Sequence, residues 1–498
     1  MENFGLLNLE NKEYFERELM SLISSLIDWK IDNSIVRRSN DRHEIIEIAP
    51  LPKSGQRLND SIRYILNTID RNINFSSNKF MGFPDAGNSL AGLAAAIIEV
   101  FLQQNLINKD ICSPMGSEIE AEVIIWLRQI LGYSFDDKIY DVTKLGGAVT
   151  TGGVMSNTYA LMAAKRKYPN KRIVILPDNI GHYSLSYATE WLNLGVEVIY
   201  CKTEKYKINQ SELSKLLQKY GENVLFIGVY ACDSMTSTCE DLEGIYKIVN
   251  NYSTDIWLHA DACHGFVLVF SEHYKNRIEY LKYFDSCTMD PHKVLWIPYT
   301  LSIILMKNTD DFASLSRSNA LIMDDPLSFG KTTPFIGSKS YDSLKLWMVM
   351  KTLGTQKIGE MAESRIENAK KFYNILSENN AFIMANTDIL FSVIFQYTPR
   401  LDISINQMNT LNRKIYDKML LDGKFYFHGF EINVNGVNRF VLRYNSGNIN
   451  ITEVELEDAV KYIEKIGKEV SNEQNLYSNE LSKQRKDFRY KNILRQLY

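Results

Sequence analysis

Four short segments carry residues whose types and spacing can do covalent chemistry. The first is Asp290-Pro291-His292-Lys293, between a predicted strand and the apolar run Val294-Leu295-Trp296. A lysine at such a point either snorkels outward or is held in a site. Desolvation lowers a lysine's pKa and makes it an amine nucleophile able to form a Schiff base with a carbonyl. The second segment is His259-Ala260-Asp261-Ala262-Cys263-His264-Gly265. Small residues around Asp261 let a planar group approach, and a carboxylate paired with a ring nitrogen keeps that nitrogen protonated, which makes the ring an electron sink. Two other readings of this segment are a turn-capping aspartate and a metal site of His259, Asp261 and His264.

The third segment, Thr150-Thr151-Gly152-Gly153-Val154-Met155-Ser156-Asn157, leads into a helical run over Thr158–Lys167. Glycines entering a helix expose backbone N–H groups beside the positive end of its dipole, a geometry that holds phosphate. The fourth, Gly181-His182-Tyr183-Ser184, follows the strand that ends at Leu176. Its imidazole can stack on an aromatic ring and shuttle a proton if the other segments form one site.

These segments need a scaffold that gathers strand ends. From about residue 140 short apolar strands alternate with helices, the mark of βαβ units and a mainly parallel sheet. The predicted strands are Arg172–Leu176, Val196–Cys201, Leu225–Tyr230, Ile256–Asp261, Ser286–Asp290 and Ser302–Met306. Helices are expected over Ser184–Leu194, Ser211–Tyr220 and Leu242–Asn250. Ligands of open sheets sit beyond the carboxyl ends of the strands, so the polar residues just past each strand matter most. Residues 1–75 read as a helical arm, 76–345 as the large domain, and 346–498 as a small α+β domain whose last strand is Arg439–Tyr444. The arm's apolar stripes must bury themselves on their own domain or on a second subunit.

Composition excludes other classes. The 498 residues are 45% hydrophobic and 23% charged, with 26 Gly and 11 Pro, a globular profile. A net charge of -4 provides no basic field for nucleic acid or anionic membrane. The basic end, Lys483–Tyr498, reads as a solvated terminal helix. Six scattered cysteines without a C-x-x-C pair fit free thiols in a reducing compartment, so a cytoplasmic location is expected. No secretory signal is visible at Met1–Glu10. The apolar stretch Leu90–Leu102 is too short for a membrane span and predicts a buried helix.

Taken together, the segments resemble the group II pyridoxal-phosphate-dependent amino acid decarboxylases, the family of glutamate and aromatic amino acid decarboxylases. The run Thr151 to Leu161 looks like the family's phosphate loop and the helix after it. His182 matches the ring-stacking histidine, Asp261 the pyridinium partner, His292 the residue before the lysine and Lys293 the Schiff-base lysine. Ser343-Leu344-Lys345-Leu346-Trp347 and Phe440-Val441-Leu442-Arg443 also look like family elements. The resemblance spans roughly residues 75 to 465.

What the resemblance implies is a fold of the aspartate-aminotransferase type (fold type I), a homodimer, an amino acid as small-molecule substrate and pyridoxal phosphate as cofactor. It puts Gly153, Val154, Met155 and Asn157 at the cofactor, with His182, Asp261 and Cys263. Asp290, His292 and Lys293 complete that set. Phe80, Phe83, Ser113 and Pro114 look like residues that shape the substrate pocket. Lys293, His182 and Asp261 are the expected catalytic groups, in a decarboxylation that yields the amine. The chain departs from the family pattern at Cys263 and His264, and at Asp233-Ser234-Met235, where Gly-Thr-Thr is usual. It also has no tyrosine between Tyr299 and Tyr341, whereas many members protonate the carbanion with a loop tyrosine. Its loss is associated in this family with aldehyde formation. Asp261-Ala262-Cys263 also resembles sphingosine-phosphate lyase, so an aldehyde synthase or a carbon–carbon lyase is the alternative.

Overall fold

A computed structural model describes residues 6–34, 36–37, 48–85, 87–317, 325–399 and 403–472. The basic run Lys483–Tyr498 and part of the tyrosine-free segment, residues 318–324, lie outside the described residues.

A seven-stranded sheet forms the centre, in the spatial order Gly147–Thr150, Ser302–Met306, Ser286–Met289, Trp257–Asp261, Val224–Tyr230, Ile173–Pro177, Glu197–Cys201. The last five strands of that order pair in parallel, and Ser302–Met306 alone is reversed, pairing antiparallel with Gly147–Thr150 and with Ser286–Met289. Six of the seven are buried along their whole length, all but Glu197–Cys201, as strands between helical layers must be. Every predicted strand is present to within about a residue or two. Gly147–Thr150 was not predicted: four residues with a glycine at the start give too little pattern to read.

A second sheet, ordered Phe382–Met384, Ser392–Tyr397, Val437–Asn445, His428–Val434, is wholly antiparallel. It packs against the helix Ile405–Asp422 and a helix over 453–472. The helix Ser343–Ser377 joins the two sheets and breaks at Gly354, whose φ of 68° is left-handed. The segment around Met81 is stitched to the second sheet, since Met81 N–H donates to Tyr426 O at 2.8 Å and Asn445 N–H to Met81 O at 2.7 Å.

Leu90–Leu102 is a helix, capped by the Ser89 hydroxyl, but it is not buried. Only Ala91, Gly92 and Ala95 are enclosed, while Leu90 is 86% and Val100 77% exposed. Its small residues face the body of the chain and its large ones face away. The helices Lys12–Ile31 and Leu58–Thr68 likewise bury no residue fully. No helix among the described residues is long and apolar enough to cross a membrane.

Candidate active site

The carboxyl ends of the parallel strands open into a cavity of about 440 Å³. Its wall includes Gly153, Val154 and Met155, His182, Asp261 and Cys263, and Asp290, His292 and Lys293. All four segments singled out in the sequence therefore converge.

Asp261 ends its strand, and a directed chain of buried hydrogen bonds holds it. Trp257 Nε1 donates to Ser286 Oγ at 2.8 Å, and that hydroxyl lies 2.7 Å from His259 Nδ1. His259 Nε2 is 3.0 Å from Asn157 Oδ1, and Asn157 Nδ2 donates to Asp261 Oδ2 at 3.0 Å and to Ser184 Oγ at 2.8 Å. Since Asn157 Oδ1 only accepts, His259 carries its proton on Nε2 and accepts from Ser286 on Nδ1. Asp261 Oδ1 takes the Cys263 N–H at 3.1 Å. Asn157 thus acts on Asp261 from behind and does not line the cavity. Both nitrogens of His259 are engaged, which removes it as a metal ligand, and no metal-holding group of His, Cys, Asp and Glu occurs among the described residues.

That chain requires a neutral His259, and burial pushes its pKa from 6.5 down to about 4. On unfolding the imidazole regains its ordinary basicity, so the unfolded chain binds the extra proton between those values. Stability contributed by His259 is complete above about pH 6.5 and falls by up to about 3 kcal/mol as pH drops to about 4. Urea melts across this window check it: a His259→Asn protein should show a shallower acid slope than the wild type.

Lys293 follows a strand end and the one-turn helix Pro291–Val294, and its Nζ lies 2.7 Å from Asp290 Oδ2. Burial works against both charges, but here the pairing wins. The charges of Lys293 and His292 and the hydroxyl of Ser302 hold Asp290 below the ordinary carboxylate range. Asp290 holds the Lys293 ammonium above its ordinary range. The lowered pKa expected from desolvation is therefore reversed by a carboxylate three residues upstream.

His182 is set by Gly181, whose φ of 140° and a Cβ that would lie 2.8 Å from Tyr230 leave room for no side chain. Tyr230 OH donates to His182 O at 3.0 Å, and Ser184 N–H donates to His182 Nδ1 at 3.3 Å. Burial, then the charge of Lys293, lowers its pKa. His182 is an uncharged wall. The helix Gly153–Lys167 points its first turn at the same space. There the amides lack intrahelical acceptors.

Other expected residues lie elsewhere. Phe80 is buried with Val36 and stacks on Tyr426, and Phe83 stacks on both Phe80 and Tyr426. Ser113 and Pro114 begin the helix Pro114–Leu131 and are absent from the cavity wall. Asp233 turns away, taking the N–H groups of Met235, Thr236 and Thr238, and leaves Ser234 at the wall. Tyr230, Cys232, Ser234, His264 and Tyr299 also line it without having been read as cofactor or substrate residues. They come from separate strand ends that only the fold brings together.

The profile of the "Pyridoxal-dependent decarboxylase conserved domain" matches residues 46–398. The chain belongs to the pyridoxal-dependent decarboxylases. As a member it is a carboxy-lyase of fold type I that works with pyridoxal phosphate. The decarboxylase is similar to the aromatic-L-amino-acid decarboxylase of Bacillus atrophaeus, 22% identical over 488 residues, 93% of this chain and 98% of that protein. It is also similar to the phenylacetaldehyde synthase of Petunia hybrida, 23% identical over 84% of this chain and 88% of that one. The crystal structure of Oryza sativa TDC with PLP and tryptamine superposes with a TM-score of 0.80 at 17% identity, covering 94% of this chain and 99% of that chain.

The residues of this decarboxylase fit the cofactor. The amides at the start of Gly153–Lys167 suit its phosphate, Asp261 its ring nitrogen and Lys293 its aldehyde, and the volume is that of a small-ligand site.

Proposed function

We propose that this decarboxylase converts an L-amino acid to its amine and CO2, with Lys293, Asp261 and His182 as the groups at the reacting end. The observation that carries this reading is the convergence of an ion-paired lysine, a strand-end aspartate and a helix N-terminus on one cavity. Bound there, pyridoxal phosphate supplies the electron sink for the pair left when CO2 departs. Asp290 fixes the Lys293 amine, the Asn157 and His259 chain fixes Asp261, and neutral His182 closes one wall without adding charge. The test is an absorbance titration of the holoenzyme with the common L-amino acids, with CO2, amine, aldehyde and peroxide assayed in parallel. Amine equal to CO2 supports the reading, and no CO2 from any amino acid contradicts it.

A second reading is supported by the absence of tyrosine from residues 300–340 and by the likeness to an aldehyde synthase. There the amino acid, dioxygen and water give aldehyde, CO2, ammonia and hydrogen peroxide, and the same assay separates the two.

The working unit we propose is a homodimer in the cytoplasm, each chain divided near residues 75 and 345. The exposed apolar side chains of Leu90–Leu102, Val100 and Phe101 among them, support a second copy as their cover. The buried free cysteines fit a reducing compartment. Sedimentation should give a dimer for the wild type and a monomer for Val100→Asp combined with Phe101→Asp.

A further inference from the structure

Beside Lys293 lies an acid that the chemistry above does not use. The segment stitched to the second sheet continues past Gly82, whose carbonyl takes Arg443 Nη2 at 2.9 Å, to Asp85. The Asp85 carboxyl adjoins the end of the cavity made by His292, Lys293 and Tyr299, and the Tyr299 hydroxyl faces it. Its Oδ1 is shut off from solvent and has no hydrogen-bond partner among the described residues. An ionised oxygen so placed bears its full desolvation penalty, which a proton relieves. Burial pushes the Asp85 carboxyl above the ordinary range, against the charges of Lys293 and His292.

The charged groups facing Asp85 each hold another partner, although Arg365 Nη1 is buried without one among the described residues. Lys293 is held by Asp290 at 2.7 Å, and His292 Nδ1 lies 2.6 Å from Leu301 O. From the long helix, Arg365 Nε donates to Ser446 O at 3.0 Å, and from the second sheet Arg443 donates to Ser234 O and Gly82 O. Asp290, the other carboxylate nearby, repels it.

We propose that Tyr299 and Asp85 form the proton source for the substrate carbon. The substrate's amine must reach the place of Lys293 Nζ, so its α-carbon lies one bond away, beside Tyr299. When the carbon–carboxylate bond breaks, its electron pair stays at carbon and CO2 leaves. The Tyr299 O–H bond then breaks and a C–H bond forms with that pair. The Asp85 carboxyl returns a proton to Tyr299 and recovers its own from water. His182 suits this task less, because its Nδ1 already accepts a hydrogen bond and the ring is held neutral. The relay rests on the decarboxylation proposed above and selects its amine outcome over the aldehyde.

The experiment uses the holoenzyme with L-tyrosine, L-tryptophan, L-glutamate and L-2,4-diaminobutyrate as probes, in wild-type, Tyr299→Phe and Asp85→Asn proteins of matched thermal stability. Expected in both variants is a loss of amine formation of about 10²-fold, the usual scale of a general acid, with a smaller loss of CO2 release. Under air, aldehyde and peroxide should make up a larger share of product. The wild-type amine rate should fall as pH rises through the raised Asp85 pKa, and Asp85→Asn should lack that limb. Infrared difference spectra of wild type against Asp85→Asn should show a protonated carboxyl band, a readout independent of turnover. Amine formation at the wild-type rate in both variants, or absence of that band, overturns the relay alone. Absence of CO2 from every probe with wild type overturns the decarboxylase reading and the relay with it.

Discussion

Replacing Lys293 with alanine should abolish turnover and remove the yellow absorbance of the holoenzyme. Lys293 is the lysine at the cavity wall, and Asp290 holds its amine at 2.7 Å. Loss of a covalent nucleophile costs on the order of 10⁴-fold or more in rate, because among the described residues no other lysine lines the cavity. The variant also leaves Asp290 buried without its partner. A buried carboxylate stripped of its counter-ion is destabilising by about 3–5 kcal/mol, so a lower Tm should accompany the lost activity. Lys293→Arg separates the two effects. It restores a cation near Asp290 but no reactive amine, so stability should recover while turnover stays absent. Full turnover in Lys293→Ala would remove the proposed chemistry.

Asp261→Asn should leave the fold and cofactor attachment intact yet cut turnover by about 10³-fold, the scale of losing one preorganised electrostatic group. Asparagine keeps the size of the side chain and can still accept the Cys263 N–H. It cannot supply the negative charge that keeps a ring nitrogen protonated, so the electron sink weakens. Substitution also sets the new amide against Asn157 Nδ2, which now donates at 3.0 Å. One of the two amides must flip, and the bond from His259 to Asn157 Oδ1 is the one put at risk. A KM close to the wild-type value with a collapsed kcat is the expected signature. A change in KM alone would mean that Asp261 only shapes the cavity.

Much of this site was legible because its residues sit at strand ends with short apolar flanks. Asp261 and Lys293 announce themselves by type and by position after a strand, the Gly152-Gly153 turn by its place before a helix, and the structure gathers them at one cavity. What stayed hidden depends on partners distant in sequence. The ionisation of Lys293 was read with the wrong sign because burial was weighed without the geometry of Asp290. Asn157 belongs to the site through Asp261, a contact across 104 positions that no local pattern reports. Asp85 follows a Phe-Pro pair and precedes no strand, so nothing nearby marks it. The helix Leu90–Leu102 shows the limit of hydrophobicity as a guide: an apolar composition demands a cover but does not say that the same chain provides it.

The most direct test of the central claim is chemical. Borohydride reduction of the holoenzyme fixes pyridoxal phosphate to the amine it has bonded, and peptide mass spectrometry then locates the added mass. The expected result is a single labelled peptide with the label on Lys293, abolished in Lys293→Ala. A label on another lysine, or none on a protein that still releases CO2, would contradict the assignment.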